Sequence, residues 1–237
     1  MCAAFTICSE IPDVLIVLGP TTTGKSKLAA KLARQLDGEI LNADKFYLFD
    51  DFAIGTGRAD IFEHPDLKFH LYGVLPAKAS IVQVGTWGQW MMDTIQKIRA
   101  RNKLVVIEGS SFGLIDTAIR ILKSQNRYSW RAMGTKLVKT DGLEEAIVKR
   151  VQKAHQIGLL DETEDLMRRG LQNSWVMRKS VVYSPLMRHL KGGCSLEAAN
   201  QEIGSKVCTA AKEQWRKFQQ IPEVAWLESA ADVLVDV

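Results

Sequence analysis

The stretch Gly19-Pro20-Thr21-Thr22-Thr23-Gly24-Lys25-Ser26 has residue types and spacing suited to holding a phosphate chain. Gly19 and Gly24 let the backbone wrap so that its N–H groups face anionic oxygens. Lys25 brings a point positive charge. Ser26 opens a helical stretch and offers its hydroxyl to Mg²⁺. The field at a helix N-terminus adds to the attraction. The pattern is GxxxxGK[ST], a Walker A loop, and Gly19, Pro20, Thr21, Thr22, Thr23, Gly24, Lys25 and Ser26 are its candidate binding residues. Glu108, after the apolar run Leu104 to Ile107, fills the slot where a nucleoside triphosphatase wants a second acidic group for Mg²⁺ and water. The loop leaves two chemistries open. A kinase or nucleotidase would move the phosphate itself. A transferase would use the same cradle to hold a diphosphate leaving group.

The elements that must position these residues are readable in outline. Val14 to Leu18 is a continuous apolar run stopped by Gly19-Pro20, as expected of a buried strand. Lys25 to Leu36 repeats apolar residues at helical spacing through Leu28, Ala29, Leu32, Ala33 and Leu36. Further strands are expected at Glu39 to Leu41 and Leu104 to Ile107, with helices at Thr86 to Ala100 and Phe112 to Leu122. Alternating strands and helices imply an α/β fold, a P-loop type parallel sheet flanked by helices. In such sheets working residues lie past the carboxyl ends of strands, which puts the Walker loop, Asp44 and Glu108 to Ser111 on one rim. Helices are then expected at 143–157, 162–169, 183–190, 196–203 and 206–218, with Ser195 as an N-cap. Residues 225–237 permit a last strand, since Val233, Val235 and Val237 alternate. The expected division is an α/β core over 11–140 and a mostly helical portion over 141–237 that closes over the site.

The chain has 237 residues and a formal charge of +4. That charge suits anionic substrates and is too weak to imply a nucleic-acid track. Cys2, Cys8, Cys194 and Cys208 make no CxxC or zinc pattern and read as free thiols. No apolar run is long enough to span a bilayer. The start, MCAAFTICSE, lacks a basic region followed by a long apolar core, so no signal peptide is expected and cytoplasm is the expected compartment. Oligomeric state leaves no mark in the sequence.

Several stretches together resemble the isopentenyltransferase family, which includes adenylate isopentenyltransferases of cytokinin synthesis and tRNA dimethylallyltransferases. They are GPTTTGKSKLAAKLA at 19–33, EILNADKFYLF at 39–49, IGTGRAD at 54–60, FHLYGV at 69–74, VVIEGSSFGLI at 105–115, VKRVQKAHQIGLLDETEDL at 148–166 and AKEQW at 211–215. The resemblance implies prenyl transfer. The Walker loop would hold dimethylallyl diphosphate with Mg²⁺, and the N6 amine of adenine would attack the allylic carbon. The tRNA branch carries an inserted helical region for which Ser110 to Leu143 leaves no room, and no C-terminal zinc module is seen. AMP, ADP or ATP is therefore the expected acceptor, with no tRNA.

The resemblance also assigns roles. Asp44 is the expected acceptor of the N6 proton. An adenine amine is a weak nucleophile, and a carboxylate taking its proton strengthens it; an aspartate is charged near pH 7. Otherwise Asp44 caps the turn after a strand. Thr21 and Lys25 complete the expected catalytic set. Thr56 and Arg58 would contact the leaving diphosphate or the acceptor phosphate, or Arg58 is a surface charge. Ser110 and Ser111 would touch substrate or cap the helix after them. Arg150 would reach the diphosphate, with Lys149 as its alternative. Lys212 matches one lysine of a tRNA-branch pair, but Glu213 replaces its basic neighbour.

One departure concerns the acceptor. A glycine–tyrosine–arginine stretch preceded by an acidic residue reads here Val181-Val182-Tyr183-Ser184, so a polar contact to adenine is lost and a different acceptor stays open. The aromatics Phe46, Tyr47, Phe49, Phe52, Trp87 and Trp90 read mostly as core. Two further readings remain: a P-loop kinase using ATP, and a nucleotide-binding protein without catalysis.

Overall fold

The computed structural model describes residues 5–6, 11–137, 140–228 and 233–234. Strand β1 (Phe5–Thr6) precedes β2 (Val14–Leu18), helix α1 (Lys25–Gln35) and β3 (Gly38–Asn42). A 3-10 turn at Arg58–Glu63, the short β4 (Phe69–His70), α2 (Val84–Arg99), β5 (Leu104–Gly109), α3 (Phe112–Gln125) and β6 (Trp130–Thr135) follow. Then come α4 (Thr140–Gln156), α5 (Leu159–Arg168), α6 (Trp175–Lys179), α7 (Tyr183–Leu190), α8 (Leu196–Phe218), β7 (Val224–Leu227) and β8 (Val233–Leu234). The main sheet is six-stranded, in the order β4-β3-β5-β2-β6-β7, and every pairing is parallel. β1 and β8 pair with each other, also in parallel.

The all-apolar sequence of β2 follows from its place at the centre of the sheet. Alternate side chains point to opposite faces, and both faces are covered. Val14, Ile16 and Leu18 pack in one cluster with Trp87, Met91 and Ile95 of α2 and Ile115 and Ala118 of α3. Leu15 and Val17 pack in a second cluster with Leu28, Ala29, Leu32 and Ala33 of α1. Each such aliphatic side chain contributes about 1.5–3 kcal/mol on burial. The ladder Val14↔Val105 to Leu18↔Gly109 and the ladder Gly38↔Leu104 to Asn42↔Glu108 bring the carboxyl ends of β2, β3 and β5 to one rim.

After residue 140 the chain is helical until it returns β7 to the edge of the sheet beside β6. Residues 196–203 and 206–218, which read as two helices, form the single helix α8. Gly204-Ser205 is tolerated inside it because Ala199, Ile203, Val207 and Ala211 form one continuous buried stripe, and that packing outweighs the weak helix propensity of the pair. Ser195 caps α8, its hydroxyl accepting from the Ala198 N–H at 3.1 Å. Cys194 and Cys208 are free and half-buried, while Cys2, Cys8, Val235 and Val237 lie outside the described residues. Among the described residues no helix is long and apolar enough to cross a membrane.

Candidate active site

The rim where β2, β3 and β5 end opens into a cavity of about 550 Å³. Thr21 and Lys25 line it from the loop, Asp44, Ser110 and Ser111 from the ends of β3 and β5, and Thr56 and Arg150 from the opposite side. Ile147, Val151, Ile203 and Val207 of α4 and α8 supply an apolar wall, with Phe46, Val82 and Phe112.

The Walker loop is braced from below. The Thr23 hydroxyl lies 2.6 Å from the Thr135 hydroxyl of β6 and donates to the Pro20 carbonyl at 2.8 Å. A Cβ on Gly19 would run into the Thr135 side chain. Thr22 holds a left-handed φ of 68°, an uncommon state for a β-branched residue, with its hydroxyl tied to the Thr21 carbonyl at 2.6 Å. Gly24 enters α1 in the same left-handed region and gives it no side-chain cap. Lys25 is 6% exposed, with its ammonium 3.9 Å from Glu108 Oε1.

Asp44 is set by strand register. Asn42 ends β3, and its side chain accepts the Asp44 N–H at 2.6 Å and donates to the carbonyls of Asp44 and Leu71 at 3.0 and 2.9 Å. β3 and β5 approach so closely beyond Asn42↔Glu108 that a Cβ on Gly109 would collide with the Ala43 carbonyl. This close approach lets the Ser110 hydroxyl donate to Asp44 Oδ2, while Oδ1 accepts the Phe46 N–H at 3.0 Å. Asp44 is 8% exposed and faces the cavity. Ser111 stands at the N-cap position of α3 but makes no cap bond there. Its hydroxyl instead accepts the Lys45 N–H at 2.9 Å.

The helical half reaches into the same place. Arg150 of α4 donates from Nη1 to the Thr21 hydroxyl at 2.9 Å and from Nη2 to the Thr56 carbonyl at 3.4 Å. Its guanidinium lies so close to Gly57, at φ 86°, that no side chain fits there. Gln214 of α8 accepts the Thr21 N–H through Oε1 at 2.9 Å. Gln214 lies within AKEQW, yet nothing in its residue type marks it. Only the crossing of α8 over the loop gives it a role. Lys149 pairs with Glu145 on the solvent side of α4 at 2.6 Å, leaving Arg150 as the residue turned inward.

Ser26 and Glu108 meet just behind the loop. The Ser26 hydroxyl donates to Glu108 Oε1 at 2.9 Å, and the Tyr72 hydroxyl donates to Oε2 at 3.2 Å. Burial pushes the Glu108 carboxyl above its ordinary range, against the opposing pull of Lys25. Burial, and then the charge of Glu108, push the Tyr72 phenol well above its usual value. These groups open on a separate small cavity of about 70 Å³.

Several expectations come out differently. Arg58 is 7% exposed and lies outside the lining of the cavity. It donates to the Asp50 carbonyl and pairs with the Asp50 carboxylate at 3.7 Å, so it is neither a surface charge nor a lining residue. Lys212 is exposed and outside the cavity lining, whereas Glu213, Gln214 and Lys217 border it. Tyr183 is fully buried and bonds Glu162, so Val181 and Val182 face the cavity in its place. Among the aromatics, Phe49, Phe52 and Trp87 are core, while Phe46 and Tyr47 line the cavity.

A parallel sheet flanked by helices, with a Walker loop after its central strand, defines the P-loop class of α/β fold. Within that class the chain belongs to the isopentenyl transferase family, which it matches over residues 12–182. It is 26% identical to a tRNA dimethylallyltransferase of Nocardia farcinica in a 290-residue alignment that covers 93% of this chain and 92% of that one. It is also 26% identical to the mitochondrial adenylate isopentenyltransferase 7 of Arabidopsis thaliana over 210 residues, covering 88% of this chain and 63% of that one. Among solved structures it resembles the full-length tRNA isopentenylpyrophosphate transferase of Bacillus halodurans. The TM-score is 0.80 at 19% identity, covering 95% of this chain and 91% of that one. The chain is thus an isopentenyltransferase-family enzyme.

Proposed function

We propose that the protein moves a dimethylallyl group from dimethylallyl diphosphate to the N6 amine of AMP, ADP or ATP and releases diphosphate. The observation that carries the reading is the one cavity lined by Asp44 and Lys25 together with Thr21 and Arg150. Asp44 and Lys25 stand on the sheet rim, and Arg150 reaches the loop from the helical side. A proton acceptor and an anion cradle are the two things this substitution needs.

In this reading the N6 lone pair forms a bond to the allylic carbon as the carbon–oxygen bond breaks. The electron pair of that bond leaves with the diphosphate. Asp44 takes the N6 proton, held in orientation by Ser110 and the Phe46 amide. Lys25, Arg150 and the loop amides stabilise the charge that develops on the leaving group. The Thr21 hydroxyl, fixed by Arg150, faces the bond that breaks. The apolar wall from α4 and α8 excludes water from the allylic centre.

The Ser26 hydroxyl and Glu108 carboxylate, 2.9 Å apart, are hard oxygen donors that fit Mg²⁺. Among the described residues no group of three or more His, Cys, Asp or Glu could hold a metal, so the remaining ligands would come from phosphate and water. When bound, the ion would neutralise diphosphate charge.

Two features support a free nucleotide over tRNA. The chain passes from β5 through α3 and β6 into α4 by short connections, which leave no place for an inserted helical region. The 290-residue alignment with the Nocardia enzyme is longer than this chain, so that relative carries internal stretches with no counterpart here. The product would be a cytokinin-type nucleotide. The test is incubation with Mg²⁺, dimethylallyl diphosphate and, separately, AMP, ADP, ATP and unmodified tRNA, with products identified by mass. A five-carbon gain on a nucleotide is expected. Prenylation of tRNA alone, or ADP release without a prenylated product, overturns the proposal.

A further inference from the structure

Glu162, in the first turn of α5, lies outside the lining of the cavity, yet it holds one of the cavity's walls. Its carboxylate gathers four hydrogen bonds. Oε2 accepts the N–H groups of Ala53 at 3.0 Å and Ile54 at 2.8 Å. Oε1 accepts the Gly55 N–H at 2.9 Å and the Tyr183 hydroxyl at 2.7 Å. Three successive amides aimed at one point form a backbone concavity for an anion. Here the protein fills that concavity with its own side chain.

The segment held this way leads directly to the reacting groups. Ile54, Gly55 and Thr56 line the cavity. The Gly57 N–H returns to the Ile54 carbonyl at 3.0 Å, closing the turn. The Thr56 carbonyl and the Gly57 backbone form the seat on which the Arg150 guanidinium rests, and from that seat Nη1 reaches the Thr21 hydroxyl. All four partners of Glu162 are donors, and an ionised carboxylate is an acceptor only. Burial, followed by the Glu162 charge, pushes the Tyr183 phenol well above its ordinary value and keeps it a donor. The Tyr183 ring also lies against Gly55, where a Cβ would meet it at 2.5 Å.

We propose that Glu162 is a positioning residue for the transfer reaction: it fixes the 53–57 turn and, through that turn, the Arg150 guanidinium against Thr21. This rests on the reading of Arg150 and Thr21 as leaving-group contacts. Glu162→Gln keeps the shape, but either orientation of its amide turns the NH₂ group toward at least one backbone N–H and leaves that donor without an acceptor. A small displacement of a positioned group is enough to slow a reaction by up to about 10²-fold.

The experiment compares wild type, Glu162→Gln and Tyr183→Phe by amide hydrogen exchange at 53–55, by kcat and KM, and by thermal midpoint. For Glu162→Gln we expect faster exchange at those amides and a kcat lowered about tenfold or more. The nucleotide KM should stay within about threefold, with most of the thermal stability kept. Tyr183→Phe, which keeps the three amide bonds, should move the same quantities less. Faster exchange with unchanged kcat would reduce Glu162 to a structural cap and overturn the proposal, as would a kcat loss without faster exchange. Should Glu162→Gln not fold, Glu162→Asp, whose shorter side chain cannot reach all three amides, is measured in its place, and faster exchange at 53–55 with a kcat equal to wild type overturns the positioning. A wild-type enzyme that prenylates no nucleotide defeats the proposed function instead. The affinity for inorganic diphosphate with Mg²⁺ then decides the role of Glu162, with equal affinity in wild type and variant overturning it.

Discussion

On the sheet side of the cavity, Asp44 and Ser110 sit within two residues of the ends of β3 and β5, whose parallel register sets them side by side, and Lys25 follows β2 at the start of α1. On the helical side, Arg150 and Gln214 reach the loop as single long side chains from α4 and α8, meeting Thr21 across 129 and 193 residues of chain. The first arrangement is rigid because backbone ladders and buried strands define it. The second depends on how two helices dock, so it can be loosened by one lost bond. The difference teaches that Asp44 and Ser110 are placed by the sheet itself, while Arg150 and Gln214 reach the loop only through the docking of the helices.

The sharpest challenge to this contrast is Asp44→Asn. If the sheet side supplies the proton acceptor, kcat falls by about 10²-fold or more, while the affinity for dimethylallyl diphosphate, read by calorimetry, hardly changes. A mild effect would remove the sheet side from the chemistry. Next in size, Arg150→Ala is expected to lower kcat/KM by about 10²-fold. Arg150→Lys should restore little, because an ammonium cannot span both Thr21 and the Thr56 carbonyl. A fully active lysine variant would show that charge, not docked geometry, is what the helical side provides.

Gln214→Ala removes one acceptor from a loop amide and should cost about 1 kcal/mol at that bond, about fivefold in donor affinity. Opposite behaviour, with tighter donor binding, would mean that Gln214 occupies an amide the diphosphate needs. The smallest effect on turnover is expected far from the rim, at Glu39. Burial pushes the Glu39 carboxyl up, but hydrogen bonds from Arg101 and His70 outweigh it and hold the group below its ordinary value. A carboxyl depressed in the folded state stabilises the fold above its unfolded pKa and loses that contribution as pH falls through the folded value. Glu39→Gln should therefore lower the thermal midpoint at pH 7, with the deficit shrinking below about pH 4 and kcat at 25 °C nearly intact. A midpoint deficit that does not shrink in acid would show that Glu39 acts through packing alone.

The readings that succeed from sequence are local ones. Val14 to Leu18 is read as a strand because both its faces are buried and every residue is apolar. Trp130–Thr135 pairs with the same strand but carries Trp, Arg, Gly and Thr, with only its last four residues buried, so no run or alternation reveals it. Arg58 follows a glycine turn and could be read as a surface charge, yet it is buried and paired with Asp50.

Within this chain, residue order alone determined the loop, the helix behind it and the strand endings that carry Asp44 and Ser110, because each is encoded by neighbours a few positions apart. Tertiary structure alone decided that Arg150 rather than Lys149 faces the loop, that Gln214 closes on Thr21, and that Glu162 clamps three distant amides. Those contacts are made by polar side chains whose types fit any solvated helix face. Only the docking of α4, α5 and α8 against the sheet removes them from water and gives them partners.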